Sequence, residues 1–109
     1  MGKQMTEMLK GTLEGIVLAT LAVQPAYGYE ITARLRERGF ADIAEGTIYA
    51  LLVRFEQRGF VDVEKISSER GPSRKVYSLN ARGQVYLEEF WRTWSFLAER
   101  LEQLHEGGK

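Results

Sequence analysis

A mainly helical fold with one small β-hairpin and a long C-terminal helix is predicted by three observations. Helix-period apolar patterns recur along the chain and are broken by Gln24-Pro25, Gly39 and Gly59. Between Phe60 and Leu79 the period drops to two on either side of a polar, Gly-Pro-containing loop. From Leu87 to Leu104 a heptad seam runs to the end of the last helix.

The 109 residues suit one domain, 1–109, and the 44% apolar content suits a folded chain. Without cysteine there is no disulfide and no thiolate metal site, which fits a reducing cytoplasm. A single histidine, His105, removes most arrangements that need imidazole, and no nucleophile–base pair, metal cluster or phosphate loop is visible. The expectation is therefore a protein that is not an enzyme and needs no cofactor or metal. The apolar run Ile16 to Val23 is too short to span a bilayer, so no membrane partner is expected. Net charge is 0, with a pI of about 6.6, which counts against a uniformly basic surface. The charge is unevenly spread, however. Four cations face one anion from Lys65 to Lys75, and five acids face three bases from Glu88 to Lys109. A basic middle with an acidic tail can still present one cationic surface.

Residues 4–24 read as a first helix, apolar around most of its circumference, which needs partners on more than one side. Gly11 and Gly15, four apart, leave room for close backbone approach. Gln24-Pro25 ends it, because proline disfavours helix at the preceding residue. A second helix covers 28–38, with Tyr29, Ile31, Thr32 and Leu35 facing inward, and Gly39 stops it. Phe40 and Ile43 anchor the connector. The third helix, 46–58, places Ile48, Leu51, Leu52 and Phe55 on one face and Thr47, Tyr49, Ala50, Val53, Arg54, Gln57 and Arg58 on the others. Those exposed groups offer hydroxyls, an amide, guanidiniums and small apolar contacts, the chemistries that read base edges and grip phosphates. An ordinary amphipathic helix with a solvated side is the competing reading, and the stretch alone does not choose between them.

Phe60 to Ile66 and Lys75 to Leu79 read as two strands joined by the turn residues Ser67 to Ser73. Gly71-Pro72 is placed at the hairpin tip. Asn80 is a good N-cap for a last helix of about 81–105, and Gly107-Gly108-Lys109 reads as a frayed end. In that helix Leu87, Phe90, Trp94, Leu97, Leu101 and Leu104 fall at spacings of 3, 4, 3, 4 and 3. The seam packs on its own domain near Leu87. Beyond Leu97 a chain of this size has little left to cover it, so a homodimer is expected there.

The order helix, helix, helix, strand, basic turn, strand, long helix is that of a winged helix-turn-helix with a long C-terminal dimerisation helix. Residues 9–80 form the DNA-binding part and 81–106 the dimerisation helix. In that layout helix 46–58 enters the major groove of double-stranded DNA and the wing 67–75 reaches phosphates or the adjacent minor groove. Arg54, Arg58, Arg70, Arg74 and Lys75 sit where such a complex needs cations.

Gly11-Thr12-Leu13-Glu14, Gly28-Tyr29-Glu30-Ile31, Gly46-Thr47-Ile48-Tyr49, Arg54-Phe55-Glu56, and Gly71 with Arg74-Lys75-Val76-Tyr77-Ser78-Leu79 occur in that order. Over residues 9–83 the chain resembles the PadR family of bacterial transcriptional regulators, in particular its smaller subfamily with one terminal helix. The resemblance implies a dimeric DNA-binding repressor of the cytoplasm, released by a small molecule or a stress signal. It implies DNA contacts for Thr47 and Tyr49, and wing contacts for Arg74 and Lys75. Trp94 matches an aromatic position that lines a pore at the dimer centre in multidrug-sensing members and stacks on planar aromatic ligands. In this chain Trp94 is either dimer core or ligand platform, and Met5 and Met8 either line the slot or are plain core. Ala44, Ala50 and Val53 depart from the family's usual residues; the first implies a weaker N-cap for helix 46–58, the other two a different sequence preference. Tyr29 and Tyr77 read as core aromatics, and Trp91 as packing between the first and last helices. A winged-helix protein-interaction module without DNA binding is the second functional reading.

Overall fold

In a computed structural model, which describes residues 2–107, the elements follow the expected order with two additions. The chain runs α1 (Gly2–Leu9), α2 (Leu13–Val23), β1 (Ala26–Tyr27), α3 (Gly28–Glu37), α4 (Glu45–Arg58), β2 (Val61–Ser68), β3 (Gly71–Leu79) and α5 (Ala81–Gly107). The first helix expected over 4–24 is thus two helices. Gly11 weakens the helix, and at Thr12 both the backbone N–H and the side-chain hydroxyl turn back to the Leu9 carbonyl, at 2.9 and 3.2 Å. The helix restarts when Ile16 N–H donates to the Thr12 carbonyl.

The second addition is β1, two residues long, which pairs antiparallel with β3 through Ala26 opposite Tyr77 and Tyr27 opposite Val76. The sheet order is β1-β3-β2. The hairpin β2–β3 is longer than its sequence suggests. Its strands continue to Ser68 and Gly71 across a turn at Glu69-Arg70, with a register irregularity between Ile66 and Ser68. Gly71-Pro72 therefore opens β3 and does not form the tip. Proline is tolerated where a strand begins and need not donate to a ladder.

Three local signals hold as read, at Gly59, Asn80 and the last helix, and a cap at the start of α3 joins them. Tyr27 N–H donates to Glu30 Oε1 at 2.8 Å and caps α3. Gly59 ends α4 in the left-handed region, with φ of 77°. Asn80 Oδ1 accepts from Gly83 N–H at 2.9 Å and caps α5. The heptad helix is one unbroken element and runs on through Gly107, which the sequence placed in a frayed end; Gly108 and Lys109 lie outside the described residues.

The core gathers around α2, whose Val17, Leu18 and Leu21 are fully or nearly fully buried. Ile31 and Leu35 from α3, Ile48, Leu51, Leu52 and Phe55 from α4, Tyr77 from β3 and Leu87 from α5 close over them. Phe40 and Ile43 join as expected. Tyr29 does not: it is half exposed, stacked on Tyr27 with ring centroids 5.8 Å apart. Its position on the first turn of α3 turns it to the sheet edge and away from the apolar stripe.

The packing is tightest at the glycines. The Phe90 ring lies against Gly15, so α2 and α5 approach as that residue suggests. Trp91, placed between the first and last helices by its sequence, stands edge-on to Phe90 and is about half exposed, lining an apolar groove together with α2 residues, Leu35, Phe40 and Leu87. Beyond Leu87 the α5 seam loses cover. Phe90 is half-buried, while Trp94, Leu97, Leu101 and Leu104 are exposed, Leu104 by 73%. Met5 and Met8 of α1 are exposed too, and α1 buries none of its residues.

Gly83 separates two opposing effects. Alanine is a better helix former than glycine by ~1 kcal/mol. A Cβ there would collide with the Phe60 carbonyl oxygen, which also accepts the Asn80 N–H at 3.2 Å and cannot easily retreat. Overpacking costs ~1–3 kcal/mol, so Gly83→Ala is expected to lower the urea midpoint. An unchanged or raised midpoint would show that α5 yields at this point.

Candidate nucleic-acid interface

Helix α4 turns its residues by ~100° each, and its core face divides the rest into three strips. Opposite the core lie Gly46, Ala50, Val53 and Gln57, all exposed, with Val53 at 50%. This outward strip is small and weakly polar, a shape that can approach base edges closely. Thr47, Arg54 and Arg58 form one flank, toward α2. Tyr49 and Glu56 form the other, toward the hairpin.

The α2 flank is organised by a carboxylate that sequence reasoning passed over. Glu14 Oε2 accepts from Arg54 Nη1 at 3.4 Å and from Arg58 Nη1 at 3.5 Å. Its other oxygen accepts from the Tyr86 hydroxyl at 2.8 Å. One side chain of α2 thus ties α4 to α5. Arg58 also lies over the rings of Phe60 and Tyr86, at 4.7 and 5.2 Å from their centroids, and those rings stack at 4.5 Å. Arg58 is the more anchored of the two arginines. Arg54 has the longer exposed reach. Residues 72 apart in sequence meet here, and no local pattern announces such a meeting.

The hairpin flank carries the other cations. Lys75 Nζ is 3.8 Å from Glu56 Oε1, a loose pair with both side chains 44% exposed. Arg70 lies at the turn. Register places Lys65 directly opposite Lys75 and Ile66 opposite Arg74. Two like charges facing each other repel, so Lys65 adds to the cationic edge although its role was not read from sequence. Knowing that the turn falls at Glu69-Arg70 would have revealed the pairing. Among the described residues no strand lies beside the edge of β3 beyond Tyr27. There the hairpin, α3 and α4 enclose an open cleft of about 620 Å³ lined by Tyr27, Gly28, Tyr29, Tyr49, Arg74, Lys75 and Tyr77. Arg74 stands over Tyr27 and Tyr29, 6.0 and 5.9 Å from their centroids. The Tyr49 ring lies so close over Gly28 that a Cβ there would strike it.

The sites proposed from sequence thus fall into two neighbourhoods. Tyr49, Ala50, Val53, Arg74 and Lys75 lie on or beside the hairpin side of α4. Arg54 and Arg58 turn to Glu14. Trp94, Met5 and Met8 are remote from both on the chain, each exposed. Among the described residues no cluster of side chains could hold a metal ion, and no helix is long and apolar enough to cross a membrane.

Three tyrosines have hydroxyls pushed above their ordinary pKa of 10.0. For Tyr86 the hydrogen bond to Glu14 is the main cause, followed by burial and the carboxylate's charge, while Arg58 opposes. For Tyr49 and Tyr77 burial leads, followed by the charge of Glu45 and of Glu56 respectively. A raised folded-state pKa means the unfolded chain loses its proton first. This stabilisation is full below the unfolded value of about 10 and is lost as pH rises through the folded one. Alkaline ultraviolet titration of Glu14→Gln should bring one tyrosine back toward its ordinary value. An unchanged curve would remove the Tyr86–Glu14 bond from the account.

Comparison with known proteins agrees with this geometry. Residues 17–89 match the model of the transcriptional regulator PadR-like family. A Streptococcus transcriptional regulator of known structure is 39% identical, with a TM-score of 0.79 over 90% of this chain and 96% of that one. A PadR-like transcriptional regulator from Bacillus cereus is 36% identical, with a TM-score of 0.78 over 90% and 95%. A PadR family regulator from Eggerthella lenta is 30% identical and superposes with a TM-score of 0.88 over 96% and 91%. The winged helix-turn-helix reading holds, as does the exclusion of an enzyme, since the family regulates transcription. With α4 and its hairpin laid out as a reading helix and a wing, the chain belongs to the PadR-like family of DNA-binding transcriptional regulators.

Proposed function

We propose that the chain is a homodimeric repressor acting in the cytoplasm. Residues 9–80 bind a pseudo-palindromic operator and the helix 81–106 joins the two copies. Helix 46–58 enters the major groove, with Thr47, Ala50, Val53 and Arg54 toward the bases and Tyr49 on the backbone at its hairpin flank. Arg58, Arg70, Arg74 and Lys75 take phosphates, the last three from the wing 67–75. The observation that carries this reading is the outward strip of α4. Its core face is wholly buried, yet Ala50 and Val53 stand in solvent beside a cationic hairpin edge. Half-sites would lie about one DNA turn apart, ~10 bp.

The dimer rests on the bare seam. A helix of this length is ~40 Å long at 1.5 Å per residue, and its outer half leaves Trp94, Leu97, Leu101 and Leu104 exposed. Leu97→Asp with Leu101→Asp would bury two unpaired carboxylates in a dimer. That double variant should sediment as a monomer and lose cooperative binding to a selected operator in fluorescence anisotropy. Val53→Asp should keep the dimer and lose the preference for operator over random duplex, by ~1–3 kcal/mol. A wild-type monomer at micromolar concentration would dispose of the seam. Failure of wild type to bind any duplex, at low or moderate salt, would favour the protein-interaction reading.

Release follows from the same seam. Trp94 is 43% exposed on it, and two-fold symmetry would bring it toward its counterpart, with Met5 and Met8 available to line the slot. A planar aromatic effector stacking there would part the α5 helices and change the spacing of the reading helices. It acts only by preferring the non-binding dimer. A planar dye should quench tryptophan emission in wild type and in Trp91→Phe but not in Trp94→Ala. Undiminished dye binding by Trp94→Ala would move the effector site elsewhere.

A further inference from the structure

The tyrosine cleft beside the wing has the makings of an oxyanion seat. Among the described residues no carboxylate pairs with Arg74, whose guanidinium rests over the Tyr27 and Tyr29 rings. That contact is long for a cation–π interaction and weak at an exposed site, so the guanidinium is held in place yet free to engage. Guanidinium offers a planar fork that matches two oxygens of one phosphate group. Lys75 adds a second cation. Its pairing with Glu56, at 3.8 Å, is longer than a hydrogen bond and open to exchange. Tyr29 and Tyr49 bring hydroxyls to the same cleft. The charges facing it include acids as well. Glu56 stands 3.8 Å from Lys75, and the charge of Glu45 acts on the Tyr49 hydroxyl. A ligand must compete with both, which favours a group with full charge and several acceptor oxygens.

We propose that this cleft seats one phosphate of the DNA backbone, gripped by Arg74 and Lys75 with the hydroxyls of Tyr29 and Tyr49, and that Glu56 is its built-in competitor. The proposal rests on the DNA-binding reading and adds to it Tyr29, which sequence placed in the core, and Glu56. The cleft's position decides between sources of phosphate. It opens between the α4 flank and the wing, the two elements that reading places against one duplex, so a backbone phosphate reaches it when the helix enters the groove. A free nucleotide shares the same phosphate chemistry and is tested separately.

The test is anisotropy of the full-length chain on a random duplex across a salt series, with far-ultraviolet circular dichroism as the folding control. Arg74→Ala should flatten the slope of log affinity against log salt by about 0.9, the value for one lost phosphate contact. Tyr29→Phe removes a neutral donor at an exposed position. It should weaken binding several-fold with the slope unchanged. Glu56→Gln should tighten binding several-fold at low salt, a gain that misfolding cannot produce. Wild-type affinity and slope in Arg74→Ala and Tyr29→Phe, with wild type binding duplex normally, would overturn the cleft alone. Absence of duplex binding by wild type would overturn the functional reading and the cleft with it. Adenosine monophosphate in the millimolar range should leave the duplex bound. Displacement at micromolar concentration would assign the cleft to a free nucleotide and overturn the backbone seat.

Discussion

Everything in the molecule is hung on the burial of α2. Its Val17, Leu18 and Leu21 have almost no exposed surface, and α3, β3 and α5 all pack against it. Fully burying side chains of this kind stabilises by ~1.5–3 kcal/mol each, more than any exposed ion pair here can supply. The reading helix has no independent stability to draw on. Its position is set because Ile48, Leu52 and Phe55 join the core that α2 begins, and the wing's is set because β3 is pinned to the same core at Tyr77. At the first turn of α2 the apolar axis ends in one carboxylate, Glu14, which touches both α4 and α5. Geometry at the candidate nucleic-acid face and geometry at the terminal helix are therefore determined by one element.

The neutral net charge has a structural counterpart. Each of several cations on the candidate face has a carboxylate within reach: Glu14 for Arg54 and Arg58, Glu56 for Lys75. Such exposed pairs are individually weak, ~0–1 kcal/mol. They hold the cations in place without consuming their ability to bind. DNA presents about one charge per 1.7 Å of axis, a density that no single carboxylate on the protein matches. A chain can thus be neutral in sum and still offer a face on which phosphates displace carboxylates.

Local signals were legible and distant ones were not. Gly59, Asn80 and the apolar spacing of Ile48, Leu51, Leu52 and Phe55 act within a few residues, so the ends and the inner face of α4 and the start of α5 could be read directly. The break at Lys10–Thr12 escaped because the apolar residues on either side continue one another's pattern, so periodicity alone bridges the gap. β1 is two residues long and gains its identity from Tyr77 and Val76, some fifty positions away. Tyr29 was placed inside because its type and spacing fit a core residue. The stack on Tyr27 that turns it outward depends on β1. The candidate cations could be picked out by type, whereas the acids that hold them could not, since Glu14 meets Arg54 forty positions away.

The bare outer half of α5 has a consequence for how much of the protein a cell must hold. In the proposed dimer this seam is covered only when two chains meet, which makes the DNA-binding species of that proposal depend on concentration, since partner binding stabilises by mass action. Each tenfold change in abundance is then worth ~1.4 kcal/mol per association step. A regulator built this way has a threshold. Below it the apolar stripe from Trp94 to Leu104 is open to solvent and to proteolysis, and above it the chain protects itself, so supply of the protein becomes an input alongside any molecule it senses.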